Sequence, residues 1–251
     1  PAHSLSVRLT SNLMSGKEHV VYDRLAQRYI QELMFGISKR VMFHAATSFS
    51  NMYTNNFRWE SAYIYCKYRF FSNDEIHKHF RMAVFGEAAY SHNPYQYDEI
   101  SLNGDQSGVQ LGLIATQLVH KLAISGTISH TQVFDKSRND KVLYVPERNY
   151  EAMNYSLSAG YLLLPREYTD YRQLNINFYT ELLAQQALNK KAHYIDIAPA
   201  LQFIFNSNSK LNIGYRFQIN GDMQRMGTNS WLISFERTFL NALRFNKESR
   251  G

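Results

Sequence analysis

A single cysteine, Cys66, occurs in 251 residues. That excludes an intrachain disulfide and any metal site built on several thiolates. No unbroken apolar run approaches the ~18 residues that a membrane helix needs, and the mean hydropathy is negative, −0.40. Spanning strands are not excluded by this, because each carries only half an apolar face. The net charge is +6, yet Lys and Arg are scattered singly, without a basic run or an aromatic-basic recognition motif, so nucleic acid is not expected as a partner. No charged-then-apolar leader stands at Pro1, and an export signal is expected to have been cleaved. Proline is scarce, with five residues.

Aromatic residues are abundant by contrast, with 18 Tyr and 16 Phe. Barrels that cross the outer membrane need such residues for the girdles at its two interfaces. The clearest pattern lies at 193–219. From His193 to Phe205 the odd positions are mostly large and apolar, whereas the even ones include Asp196, Ala198, Ala200 and Gln202. After Asn206-Ser207-Asn208-Ser209, residues Leu211, Ile213, Tyr215, Phe217 and Ile219 alternate with Asn212, Gly214, Arg216 and Gln218. A period of two on both sides of a polar turn predicts an antiparallel hairpin. Pro199 falls inside it, removes a ladder donor, and predicts a bulge at that point.

The same period predicts strands near 4–11, 29–38, 41–50, 57–71, 79–91, 107–119, 122–134, 150–163, 172–186 and 229–240, with a polar tail at 241–251. Residues 12–28 read as a loop with room for a short helical turn. Connections at 38–40, 72–78, 120–121, 164–171 and 206–209 are mostly short. Those at 12–28, 92–106, 135–149 and 220–228 are longer and polar. Twelve strands, an even number, with short and long connections in alternation, predict one closed antiparallel transmembrane β-barrel with both termini on the short-turn side, in the periplasm. On the strand 57–71, Cys66 shares its face with Ile64, Tyr68 and Phe70 and is expected to meet lipid.

A soluble sandwich or ligand-binding barrel has the same period of two. Strands of roughly 10 to 15 residues against a soluble mode of ~5–6 favour the membrane, and twelve strands enclose more space than an apolar core readily fills. The polar faces also carry a set of charges expected in the lumen: Arg8, Glu32, Lys67, Arg69, Arg81, Glu87, Glu181, Asp196, Arg216 and Glu236. Glu32, Glu87, Glu181 and Asp196 are expected in the outer half, Lys67, Arg69 and Arg81 near the inner mouth, and Arg8 and Arg216 between them. The like charges of Arg69 and Arg81 need a carboxylate, water or a passing anion to offset them; Glu87 and Glu236 are the nearest candidate carboxylates, and without them the inner mouth is expected to hold an anion-attracting belt.

Several stretches carry a resemblance: Glu32–Lys39, Lys67–Ser72, His79–Ala83, Ala115–Lys121 and Ala198–Phe203. They resemble a group of small outer-membrane β-barrel proteins from Bacteroidota, over most of residues 30–240. The resemblance implies export to the outer membrane, the barrel fold, and lipid or lipopolysaccharide as surroundings. Members are sometimes labelled transporters, and no catalytic motif maps onto this chain.

Membrane barrels include lipid hydrolases, which need a Ser or an activated water beside a His base and an orienting group. Ser91-His92-Asn93 and Ser129-His130 are the candidates, but neighbours on a strand point to opposite faces, so no enzyme is expected. His77 and His79, near Asp74 and Glu75, read as turn residues rather than metal ligands, and no cofactor is expected. Two readings of the lumen charges stay open. One is a narrow path for small polar solutes; the other is a salt-bridged, plugged barrel that serves as a structural subunit or docks onto a larger outer-membrane complex.

Overall fold

The computed structural model describes residues 2–14, 25–76, 78–94, 97–134, 148–165 and 173–243. Twelve strands follow one another: β1 (Ser4–Met14), β2 (Ala26–Gly36), β3 (Val41–Ser50), β4 (Arg58–Asp74), β5 (Lys78–Ser91), β6 (Gly108–Val119), β7 (Leu122–Val133), β8 (Glu151–Leu164), β9 (Asn175–Ala187), β10 (His193–Phe205), β11 (Ser209–Gly221) and β12 (Asn229–Phe239). Each pairs antiparallel with its sequence neighbours, and β1 pairs with β12 from Leu5↔Phe239 to Met14↔Ser230, which closes the barrel. Closure satisfies every wall strand on both sides, the condition for a sheet to stand in hydrocarbon. The expected architecture is therefore the observed one. The loop read at 12–28 is shorter than expected, because β1 runs on to Met14 and β2 begins at Ala26. The remainder of that stretch lies outside the described residues.

Short connections and both strand termini share one end of the barrel, here the turn end; the connections 92–107, 188–192 and 222–228 stand at the opposite, loop end. The outward face is apolar. Toward the loop end it shows Tyr29, Trp59, Tyr90, Tyr155 and Trp231, and toward the turn end Tyr68, Phe70, Phe71, Tyr161, Phe178 and Phe239, all exposed. Leu33, Ile64, Leu111, Leu113, Ile128, Leu157 and Ile213 fill the belt between them. Two aromatic rings around an aliphatic band match the two interfaces and hydrocarbon of a bilayer. Cys66 lies in this band, exposed beside Ile64 and Tyr68.

Bulges re-aim particular side chains. Between β3 and β4 the register steps from Ser48↔Ser61 to Phe49↔Trp59, leaving Glu60 as the extra residue. Its side chain turns inward and is fully buried. A second bulge leaves Phe70 unpaired on β4, so that Arg69 faces Ala83 and Arg81 faces Ser72. The bulge expected at Pro199 sits elsewhere: the β10–β11 register shifts at Ile195/Asp196, with Ile219 as the extra residue. At Ala198 and Pro199 the ladder to β11 lapses without a change of register, while Pro199 keeps its place opposite Thr180 on β9. A lapse of the ladder accommodates the missing donor as well as a bulge would.

Candidate functional site

The lumen wall is made by the alternate residues of each strand, and three layers of charge occupy it. The middle layer lies on β12, β1 and β2, adjacent in the closed sheet. Arg8 donates to Glu236 Oε2 at 2.8 Å and to Glu32 Oε2 at 3.1 Å. Glu236 also receives Lys210 Nζ at 3.1 Å, and Glu32 meets His44 Nδ1 at 2.6 Å. Arg8 and Glu32 are thus direct partners rather than residents of separate levels, because the β1–β2 register sets them side by side.

At the loop end the described residues of the connection, 92–94 and 97–107, do not stand out as an open loop; they fold across the mouth as a lid. Among the described residues two ionic clamps, one amide latch and an ion pair between Lys190 and Asp98 hold it. On one side Arg28 donates to Glu60 Oε2 at 2.8 Å and to Asp105 Oδ1 at 2.5 Å, with both the Arg28 and Glu60 side chains buried. Ser50 donates to Glu60 as well, the Asn93 amide reaches Glu60 Oε1 at 2.8 Å, and the Tyr53 hydroxyl reaches Asp105 at 2.8 Å. Burial, and then the Asp105 charge, push the Tyr53 phenol well above its ordinary value. Gly104 passes so close to Arg28 that a Cβ there would lie 2.5 Å from the guanidinium carbon, and its φ of +141° suits glycine alone.

On the other side Arg225, from the 222–228 connection, donates to Glu99 at 2.9 and 3.1 Å and to both oxygens of Asp196 at 2.8 Å. Arg216 adds bonds to Asp196 at 2.5 Å and to Glu99 at 3.2 Å. The Arg225 guanidinium lies 4.0 Å from the Tyr194 ring centroid, a cation–π contact beneath the clamp. Burial by itself would raise the Glu99 carboxyl, but the Arg216 and Arg225 charges together outweigh it and hold Glu99 below the usual carboxylate range. Between the clamps, Gln185 of β9 takes both backbone groups of Ile100, at 2.8 and 2.9 Å. The Ile100 side chain packs on Val133 and Ala152.

At the turn end the charges that line the wall cavity are all positive. A cavity of about 480 Å³ is lined by Lys39, Arg40, Lys67, Arg69 and Arg81, together with Ser38, Thr116, Met42 and Ala83. Neither Glu87 nor Glu236 approaches Arg69 or Arg81: Glu236 is taken by Arg8 and Lys210, and Glu87 faces the lumen beside Gln110, higher on the wall. Arg81 instead bonds Asp74 Oδ1 at 2.9 Å, and Arg69 bonds the Lys39 carbonyl. A second cavity of about 450 Å³ lies at the same end against β7–β10, lined by Ser125, Ser158, Asn175, Asn177, Tyr179 and Gln202. Beneath the lid a third, of about 170 Å³, holds Glu87, Gln110, Asn154 and Arg216.

Of the ten expected lumen charges, Arg8, Glu32 and Glu236 form one cluster and Asp196 and Arg216 another, while Lys67, Arg69 and Arg81 share a cavity. Arg216 stands at the loop end rather than between the levels, drawn there by Glu99. Glu181 accepts from Ser156 on the wall and joins no cluster. Sequence reasoning missed Arg28, Glu60, Glu99, Asp105 and Arg225. The hydrolase candidates do not assemble: Ser129 is buried in the wall while His130 is exposed, and Ser91 and Asn93 both bind the Gly104 carbonyl of the lid. His77 lies outside the described residues.

No family model and no curated protein matches the chain. Solved structures do. The barrel is similar to an outer membrane channel from Pseudomonas putida F1, with a TM-score of 0.58 and 12% identity over 95% of this chain and 96% of that one. It is similar to the KdgM porin, at a TM-score of 0.53 and 9% identity over 93% and 99%. It is also similar to the β domain of the Bordetella autotransporter BrkA, at 0.53 and 11% over 94% and 98%. Identities this low establish the fold, which is that of outer-membrane barrels and supports an outer-membrane location.

Proposed function

We propose that the chain is an outer-membrane channel for small polar solutes, with the folded-in segment 92–107 as its constriction. The observation that carries this reading is the unfilled interior: cavities of about 480 and 450 Å³ with charged or amide groups in their walls open at the turn end, and a polar one of about 170 Å³ lies beneath the lid. A structural barrel gains nothing from leaving that volume to water, whereas a conduit requires it. Likeness to a channel and a porin agrees with this reading. The apolar belt and its two aromatic rings take lipid as their surroundings, with the turn end in the periplasm, as short turns are in such barrels.

The lid keeps a second reading alive, that of a plugged structural or docking subunit, because both clamps and the Gln185 latch hold the loop end shut. Recording from purified barrel in a planar bilayer separates the two. The channel reading expects discrete conductance steps that grow when a lid clamp is cut. A wild-type barrel and a clamp variant that are both silent would reject it in favour of the subunit.

A further inference from the structure

From the turn-end cavity we infer a binding site for a small polyanion, a solute carrying two or more carboxylate or phosphate groups; the inference deepens the channel reading and rests on it. Five cationic side chains line that cavity, and among the described residues the one carboxylate that forms an ion pair with any of them is Asp74, bonded to Arg81. Five positive charges less one leave a formal excess of four. Among the described residues Lys39, Arg40 and Lys67 make no side-chain ion pair. In the other two layers, by contrast, Arg8 and Lys210 share Glu236, Arg28 has Glu60 and Asp105, and Arg216 and Arg225 share Asp196 and Glu99, while Arg58 donates to the Asn93 amide oxygen. Where those layers pair their guanidinium and ammonium groups with carboxylates, the turn-end set is left for something that arrives from solution.

The site is also built rather than merely charged. Ser38 accepts from the backbone N–H groups of Arg40 and Val41 at 3.1 and 3.0 Å, which fixes the tight turn carrying Lys39 and Arg40. Arg69 ties that turn to the wall twice, through its guanidinium to the Lys39 carbonyl and through its N–H to the Arg40 carbonyl at 2.8 Å. Lys67 and Arg69 stand two residues apart on the inward face of β4, roughly 7 Å along the strand. Arg81 joins the same cavity from the neighbouring strand by the parity it shares with Ala83, and the bulge at Phe70 sets Ser72 opposite it. Like charges held this near one another in a concave wall focus a positive potential, and a single monovalent ion would leave most of it uncompensated. At about 480 Å³ the cavity has the volume of a small-molecule site.

The test uses detergent-purified full-length barrel at low ionic strength, with calorimetric titration of citrate and of inorganic pyrophosphate, and glucose as a neutral solute of similar size. Saturable binding of citrate or pyrophosphate, weakened by added salt, is expected, and none of glucose. The informative variant is Arg40→Gln with Lys67→Gln, since neither side chain bonds the wall and the turn held by Ser38 and Arg69 stays intact. It should bind the anions at least about tenfold more weakly, whereas Lys191→Gln, exposed at the loop end, should bind as wild type does. Absence of anion binding by the wild type, or undiminished binding by the double variant, overturns the site. A barrel that binds citrate but never conducts keeps the site and loses the channel; one that conducts but binds no anion does the reverse.

Discussion

Replacing Arg225 by methionine tests whether the lid is held by its ionic clamp. The side chain is 3% exposed and makes two bonds to Glu99 and two to Asp196, whose own side chain is fully buried. Removing one partner of a buried ion pair typically costs about 3–5 kcal/mol. Arg216 stays within 2.5 Å of Asp196 and 3.2 Å of Glu99 and retains part of the attraction, so about 2–3 kcal/mol is the expected loss of lid stability. At about 1.4 kcal/mol per decade, the open fraction rises some 30- to 150-fold. Chymotrypsin reads it directly, because Tyr97 lies in the lid and cleavage follows the open population when reclosing is fast. Arg225→Lys keeps the charge but not the two-pronged donor and should fall between the two. Cleavage at Tyr97 within threefold of wild type, with the barrel intact, would refute the clamp.

Three other outcomes follow from the same geometry. Gly104→Ala places a methyl group against the Arg28 guanidinium in a backbone conformation that alanine resists, and should destabilise the lid by about 1–3 kcal/mol, seen as faster chymotrypsin cleavage at unchanged barrel mobility in gels. Glu99 is held below the ordinary carboxylate range, so its contribution is complete above an unfolded value near 4.5 and drains away as the pH falls through the lower folded value; lid protection should be flat from about pH 8 to 5 and decline below about 4, and a decline near neutrality would count against the assignment. Cys66, exposed in the outward band, should react quickly with an apolar maleimide and slowly with a charged thiol reagent in liposomes, and equal rates would contradict its lipid-facing position.

The wall was legible in the sequence because one physical rule, alternation, writes it. Once Leu111 and Leu113 face lipid, Gly112 and Gln110 must face the lumen, and the same parity carries Lys67, Arg69 and Arg81 to a common interior. The clamps were not legible, for two reasons. Arg28 fell in a stretch whose alternation fades toward the strand end, and Glu60 reaches the lumen only through the bulge between Trp59 and Ser61, which breaks the parity that sequence reading relies on. Glu99, Asp105 and Arg225 come from connections, where no period exists and partners are set by how far a loop folds back. The one available signal was the coincidence of a long polar connection at 92–106 with charges at the facing strand ends. Pro199 shows the converse: a breaker residue correctly marked a weakness in the ladder, but the form that weakness takes depends on the neighbouring strand.

The seam between β1 and β12 also governs how such a chain comes into being. Ser6 bonds Thr238 and Arg8 bonds Glu236, partners 232 and 228 residues apart, so no segment short of nearly the whole polypeptide can make the joint. Every earlier stage is an open ribbon with two unpaired edges, untenable in hydrocarbon and ready to pair with other chains in water. Synthesis and insertion are thereby uncoupled: the polypeptide must be kept apart from its neighbours until its last strand has emerged. A truncation that removes β12 alone then leaves an aggregating ribbon, whatever the remaining eleven strands contain.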